Sequence, residues 1–328
     1  TMLGDTAVAV NAYDPRYEHL VGQEVHLPIV DRSVPVVGDS AIEQDFGTGA
    51  LKVTPGHDPV DFEIGQRHGL ESISVIGLDG CMNSNAGKYV GIDRFEARQA
   101  IVSELTTQGL LEKVEGLNHA VGHCQRCDAV VEPLVSLQWF LNVGKYDEPD
   151  SIAGKAYGAV KNGEIRIVPE RFGRVYLNWL ENIRDWCISR QRSWGVPLPV
   201  FFDEEGEPLL DATVVRGLAD KVEKEGTDLW FEATAEDLLN GIELPDSWQR
   251  KSLTKGVDTL DVWIDSGCSH RAVLQCDERL NWPADLYLEG SDQHRGWFQS
   301  SLWTAVVADG GAPYRRVLTH GFVVDGEG

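Results

Sequence analysis

The sequence predicts an α/β protein in two parts: a compact, β-barrel-like domain with flanking helices, and a Rossmann-type parallel α/β sheet. Three observations predict it. Short strand-like pieces dominate residues 1–145. In residues 256–328 three strand-like segments run into polar loops or helices, the order of a parallel sheet with ligand groups at its strand ends. The chain of 328 residues is 42% hydrophobic with 10 tryptophans, enough for large cores, and no apolar run reaches the ~18 residues that would span a membrane.

The N-terminal elements follow from local pattern. TAVAVNA, VGQEVHLPIV and DRSVPVVG read as strands, with Pro28 and Pro35 at edges or bends. Gly47 and Gly49 make a turn of FGTG, where glycine permits positive φ or close backbone approach. Ala50–Thr54 reads as a strand ending at Pro55, and Gly56–Pro59 as a second loop. Asp61 opens a helix to His68, where a carboxylate suits the positive helix N-terminus. Apolar residues at Phe95, Ala97, Ile101, Val102, Leu105 and Leu110 approach a 3.6 period and predict a helix over 94–108. A further helix is predicted over 135–140.

The remaining chain divides by composition. Residues 146–199 connect the two parts: 146–164 read as a connecting segment with a helix, and a further helix is expected at Arg174–Asn182 after a turn at Val168-Pro169. Residues 200–255 are acidic and read as a small α/β insertion with solvated helix faces. Residues 256–328 carry strand–loop at Asp258–Gly267, strand–polar loop–helix at Asp285–Phe298, and a last strand at Arg316–Val323.

Bulk properties bound the function. Six cysteines in so long a chain are no disulfide framework, and no basic, apolar leader is visible, so a reduced, cytoplasmic protein is expected. The net charge of −23 disfavours nucleic acid over most of the surface. Arginines nevertheless cluster at Arg184, Arg190 and Arg192 and at Arg315 and Arg316. A strand-like threonine at one end and the turn Asp325–Gly328 at the other suggest a piece of a longer protein. Cys124 and Cys127 form a C-x-x-C, half of a four-ligand zinc site, with His119 and His123 as nearby candidates.

The residues Phe46–Leu70 place a lysine, a threonine, a histidine and two aspartates around one strand. A helix cap beside a solvated loop would account for some of these. Together, however, the GTG turn, the strand and TPGHDPVD resemble the editing domain inserted into the class I aminoacyl-tRNA synthetases for valine, isoleucine and leucine. TMLGDTAVAV, GIDRFEAR and Trp139-Phe140 resemble other parts of that domain, and NIRDWCISRQ resembles the return into the catalytic core. EGSDQHRGWF and DVWIDSG resemble the synthetic site of the isoleucine-type members.

The resemblance implies a fold and roles. The barrel-like editing domain (1–145) would be inserted in a Rossmann-type catalytic domain, whose second half is 256–328. Asp61 would anchor the substrate ammonium, and Thr1 and Thr54 would place water or the terminal ribose. Lys52, Asp58, Phe46, Glu43 and His57 would line the editing pocket, with His57 a candidate base. Lys52, Asp58, Glu43 and Phe46 look valine-type, and Asp58 would then accept a bond from a threonine hydroxyl. Trp263, Gln293 and Trp297 would line the amino-acid pocket. Glu289 and Asp292 would hold the adenylate, with His320 and Gly321 beside adenine. The HIGH motif is expected before Thr1 and KMSKS after Gly328. Phe202–Glu205 stands where relatives carry a cysteine pair, so a second zinc site is not expected.

The expected function is therefore a monomeric ligase joining isoleucine to its tRNA with ATP and Mg2+, holding zinc if the thiols find partners. It would clear misacylated tRNA by hydrolysis. Valine is the alternative amino acid, since the two halves point to different ones. Editing is needed because one methylene, or an isosteric hydroxyl, discriminates only ~10–200-fold, a limit best known from these synthetases themselves. A free-standing editing module is the rival of another class, but residues 256–328 would be superfluous to it. No G-x-G-x-x-G follows a strand, which disfavours an unrelated dinucleotide enzyme.

Overall fold

The computed structural model describes residues 1–116 and 118–327. Gly328, the last residue of the expected terminal turn, lies outside the described residues. The chain divides into two units, Thr1–Leu137 and Gln138–Gly328.

The first unit is built on four strands: β1 (Ala7–Val10), β2 (Glu24–Leu27), β3 (Arg32–Gly38) and β4 (Ala50–Val53). They pair in the order β2-β3-β1-β4. β1 runs parallel to β3, with Val8 opposite Val36, and antiparallel to β4, with Val8 opposite Lys52. β1 is central because its short side chains Ala7 and Ala9 are fully buried. The order is linear, with β2 and β4 at its ends, so the expected barrel-like closure is not seen among the described residues. Pro35 lies inside β3, an internal strand, opposite Glu24 of β2, not at an edge as expected.

Two helices flank the sheet, α1 (Pro59–His68) and α2 (Arg94–Thr107). α1 begins two residues before Asp61. Asp58 is its N-cap, accepting from the amides of Val60 (2.8 Å) and Asp61 (3.0 Å), and Pro59 fills the first position, where no amide is needed. Ile64 of α1 packs with Ala7, Ala9, Ile42 and Val53. α2 buries Ala97 and Ile101 beside Leu3, Val75 and Tyr89. Phe95, expected in that core, is instead exposed beneath the guanidinium groups of Arg94 and Arg98, 4.4 and 5.5 Å from its ring.

The helix expected over 135–140 is absent. The chain there is extended, and Phe140–Leu141 forms strand β5 in the second unit, antiparallel to β7 (Trp186–Cys187). The reason is that strand partners take the backbone groups: the Trp139 amide donates to Ser189 Oγ (2.8 Å) and its carbonyl accepts from the Ile188 amide (2.8 Å).

The second unit continues with α3 (Ile152–Lys161), β6 (Arg166–Val168), α4 (Arg171–Glu181), β7 and β8 (Ser189–Arg190). A small lobe follows. β9 (Phe201–Phe202) lies between β10 (Pro208–Leu209) and β11 (Thr254–Lys255), and α5 (Ala212–Glu225), α6 (Asp228–Glu232) and α7 (Ala235–Leu239) cover Phe201, Leu209 and Trp230. β12 (Thr259–Leu260) pairs with β8 and leads into α8 (Val262–Gly267). That helix replaces the loop expected there, because Asp261 caps it by accepting from the Trp263 amide (3.2 Å).

The parallel sheet expected near the C-terminus is present. β13 (Tyr287–Gly290), β14 (Arg316–His320) and β6 pair in that order, all parallel, and α9 (Trp297–Ala308) follows β13. Tyr287, Val317 and Ile167 of the sheet share a core with Tyr176, Leu180, Phe298 and Leu302 of the helices. Leu288 and Leu318, on the alternate positions, stay exposed.

Candidate functional site

Strand pairing assembles a polar cluster in the first unit. The Thr6 amide donates to the Val53 carbonyl (2.9 Å), extending the β1–β4 ladder by one step. Asp5 therefore abuts Thr54. Asp5, Thr54 and Asp61 are all buried. The Thr54 hydroxyl donates a short hydrogen bond to Asp5 Oδ1 and accepts one from Lys52 Nζ (2.6 Å). The Thr54 amide donates to Asp61 Oδ2 (2.8 Å), which ties α1 to the end of β4. Lys52 Nζ lies 3.7 Å from Asp5 and 4.0 Å from Asp61.

The electrostatics are those of two carboxylates sharing one ammonium. Burial pushes the Asp5 carboxyl up to about 6, against the pull of Lys52 and the Thr54 hydroxyl. Burial also raises Asp61, against the Thr54 amide and Lys52. Such perturbed carboxyls in a polar cluster are a functional-site signal.

The other expected residues of this region divide. His57 Nε2 accepts from the Val75 amide (2.8 Å), so the proton sits on Nδ1, which faces the Pro133 carbonyl (3.3 Å). Burial lowers its pKa. Both ring nitrogens are thus spent on backbone, which makes His57 a strut and removes it as a base. Asp58 uses Oδ1 for the α1 cap while remaining exposed. Glu43 and Phe46 lie exposed on the turn before β4, where Gly47 and Gly49 adopt φ of 59° and 77°. Thr1 is exposed at the start of a short 3-10 turn. Gly56 sits where a Cβ would meet the Ile73 carbonyl at 2.5 Å, so no larger residue fits the second loop.

Asp5 was missed in the sequence because it lies 49 residues from its partner Thr54 and inside no polar-rich stretch. Only the place of an aspartate just ahead of the AVAV strand hints at it.

In the second unit, Glu289, Asp292, His320 and Gly321 gather at the carboxyl ends of β13 and β14, where Glu289 stands opposite Thr319 and Gly290 opposite His320. Ligands of parallel α/β sheets bind at such ends. Gln293 links this turn to α9: its Oε1 accepts from the Trp297 amide (2.9 Å) and its Nε2 donates to Asp292 Oδ2 (2.9 Å). Trp297 stacks on Tyr287 with ring centres 4.0 Å apart, and its indole donates to the Ser266 carbonyl (2.9 Å). Trp263 is partly open and lines a cavity of about 460 Å³ together with Trp179, Trp186, Arg190, Arg295 and Gln299. Arg295 stacks over Trp179 at 3.6 Å. Arg190 is paired with Asp261 (2.7 Å) and with the backbone carbonyls of Cys187 and Ser189.

Cys124 and Cys127 flank a tight turn in which the Arg126 and Cys127 amides point at the Cys124 thiol and lower its pKa. His123 Nδ1 is engaged with Asp128 instead, 2.8 Å from its carbonyl. Among the described residues no group of three or more His, Cys, Asp or Glu side chains converges. Two thiols do not fit a closed tetrahedral zinc site.

Residues 9–328 match the family of class I tRNA synthetases (I, L, M and V). The chain is 41% identical over 334 residues to a valine–tRNA ligase of Carboxydothermus hydrogenoformans and 42% identical over 339 residues to one of Dehalococcoides mccartyi, covering 100% of this chain each time. It spans about a third, 34%, of the length of these curated relatives. A solved LeuRS–tRNA–LeuAMS complex of Agrobacterium radiobacter K84 aligns with 100% of this chain and 37% of that one at 16% identity, with a TM-score of 0.32, too slight a likeness to bear on the architecture. By its sequence over nearly its whole length, this chain belongs to the class I tRNA synthetases (I, L, M and V).

Proposed function

We propose that the chain is the hydrolytic editing part, joined to the second catalytic half, of an aminoacyl-tRNA ligase specific for valine. The single observation carrying the hydrolytic reading is the buried cluster of Asp5, Lys52, Thr54 and Asp61. It offers a carboxylate for a substrate ammonium and an oriented hydroxyl for a water, the two things that ester hydrolysis by positioning needs. Thr54 places the water, Asp61 anchors the ammonium, and no covalent intermediate is required. Lys52, Asp58, Glu43, Phe46 and Thr1 rim the pocket.

Valine is favoured over isoleucine by the names of the similar proteins and by Lys52 and Asp58, whose second carboxylate oxygen is free of the helix cap and suits the hydroxyl of threonine. The isoleucine reading rests on EGSDQHRGWF and on Trp263, Gln293 and Trp297 as pocket walls. In the whole protein ATP, with Mg2+, would supply the adenylate, held by Glu289 and Asp292 beside His320 and Gly321. tRNA is the proposed partner.

The test is deacylation by the full-length enzyme carrying this chain. Threonine on valine tRNA is expected to be cleared faster than valine on isoleucine tRNA, and Asp61→Ala should remove most of the activity. The opposite preference would make this an isoleucine enzyme. An Asp61→Ala variant as active as wild type would end the hydrolytic reading.

A further inference from the structure

We propose that Asp5 is a positioning residue of the hydrolytic site, which fixes the Thr54 hydroxyl as a proton relay and takes up the proton that passes through it. The inference rests on the hydrolytic reading above and adds to it the destination of the proton.

The hydrogen-bond count carries the argument. A threonine hydroxyl has one proton and two lone pairs. The proton points to Asp5 Oδ1, and one lone pair accepts from Lys52 Nζ at 2.6 Å. One lone pair is left. Thr54 can therefore accept a hydrogen bond from a water, and it cannot donate one. Thr54 is fully buried beside the half-exposed Lys52 side chain, so the water enters as Lys52 swings aside, with its oxygen lone pairs free to attack and its proton aimed at Thr54.

The step balances without any further reagent. The water oxygen bonds to the ester carbonyl carbon. Its proton passes to Thr54 Oγ1 while the hydroxyl's own proton passes to Asp5 Oδ1. The tetrahedral intermediate then breaks its bond to the ribose oxygen, which takes the proton back from Asp5 along the same path. Ester and water become acid and alcohol, and Asp5 and Thr54 end as they began.

The surroundings suit a carboxyl that gains and loses a proton near neutrality. Lys52 on β4 stands 3.7 Å away and favours the ionised form. Burial and Asp61 on α1 oppose it. Arg32 on β3 binds the carbonyls of Leu3 (3.0 Å) and Asp5 (2.6 Å). The net result is a carboxyl pushed up to about 6, mostly ionised at pH 7 yet within easy reach of protonation.

The experiment uses the full-length enzyme and valine tRNA charged with threonine, with deacylation followed from about pH 5 to pH 8. Wild type should be slow at the acid end, where Asp5 is protonated, and rise through a midpoint near 6. Asp5→Asn should lower the rate by about a hundredfold and lose that rise. Thr54→Val should do the same by breaking the relay from its other end, while Thr54→Ser should keep both rate and rise. Amino-acid activation, read as ATP–pyrophosphate exchange, should be unchanged in Asp5→Asn, which shows that the variant folds. An Asp5→Asn enzyme at wild-type rate overturns the inference. So does one that is slower but keeps the wild-type midpoint, since that is what a merely structural carboxylate would do. Asp5→Asn active beside an inactive Asp61→Ala would refute the relay alone, whereas Asp61→Ala as active as wild type removes the hydrolytic reading beneath it.

Discussion

Asp58 does two jobs in the reading developed above, and they can be separated. Its Oδ1 caps α1 through the amides of Val60 and Asp61. Its other oxygen is proposed to accept from the hydroxyl of threonine. Asp58→Ala removes both. The cap is worth about 1 kcal/mol, which at 1.4 kcal/mol per factor of ten makes the first-turn amides of α1 exchange with solvent about fivefold faster. A hydrogen bond to a charged acceptor is worth roughly 1.5–3 kcal/mol, so threonine clearance should fall roughly 10- to 100-fold as well. Asp58→Ser restores only the cap, because serine caps about as well as aspartate. It should return the exchange rates to wild type and leave clearance impaired. Hydrogen-exchange mass spectrometry on peptides covering α1, with deacylation assayed in parallel on the full-length enzyme, reads both. Wild-type clearance by Asp58→Ser would refute the substrate contact. Fast exchange in that variant would refute the cap.

Two further outcomes follow from the second unit. His294 is buried against Phe172 and Thr319, and burial lowers its pKa to about 4, below its unfolded value near 6.5. The unfolded chain therefore takes the proton first, so this group's contribution to stability is whole above about pH 6.5 and is lost as the pH falls towards 4. His294→Gln should flatten the acid side of the stability curve measured by denaturant melts; an unchanged slope would exclude His294 as its source. In Gly267→Ala the new Cβ would stand 2.8 Å from the Ser300 carbonyl, forcing α8 and α9 apart. The cost should be about 1–3 kcal/mol, seen as a lower melting temperature, and a change below a few tenths would show that the helices separate freely.

Much of the chain was legible before folding. Strand and helix placement followed from alternation, the 3.6 period and turn residues, and α1, α2, α4 and the parallel strands β13 and β14 fall where pattern put them, within a few residues. The errors have physical causes. Residues 135–140 hold helix-compatible side chains, but β7 and Ser189, some 50 residues away, claim the backbone of Trp139 and Phe140. The loop after Leu260 becomes α8 because Asp261 caps it, and Asp58 displaces Asp61 as the start of α1 for the same reason. Caps are written in the sequence, yet several carboxylates compete for each, and geometry picks one.

Sequence by itself determined the family, through contiguous motifs, and marked Lys52, Thr54 and Asp61 as a group, since all three lie within ten residues of one another. Only tertiary structure decided what each can do. It brought Asp5 to Thr54 by pairing β1 with β4, spent both nitrogens of His57 on the backbone, and buried the carboxylates beside a single ammonium. The reason is that protonation and hydrogen-bond capacity depend on burial and on partners distant in the chain, and neither quantity is local to the sequence.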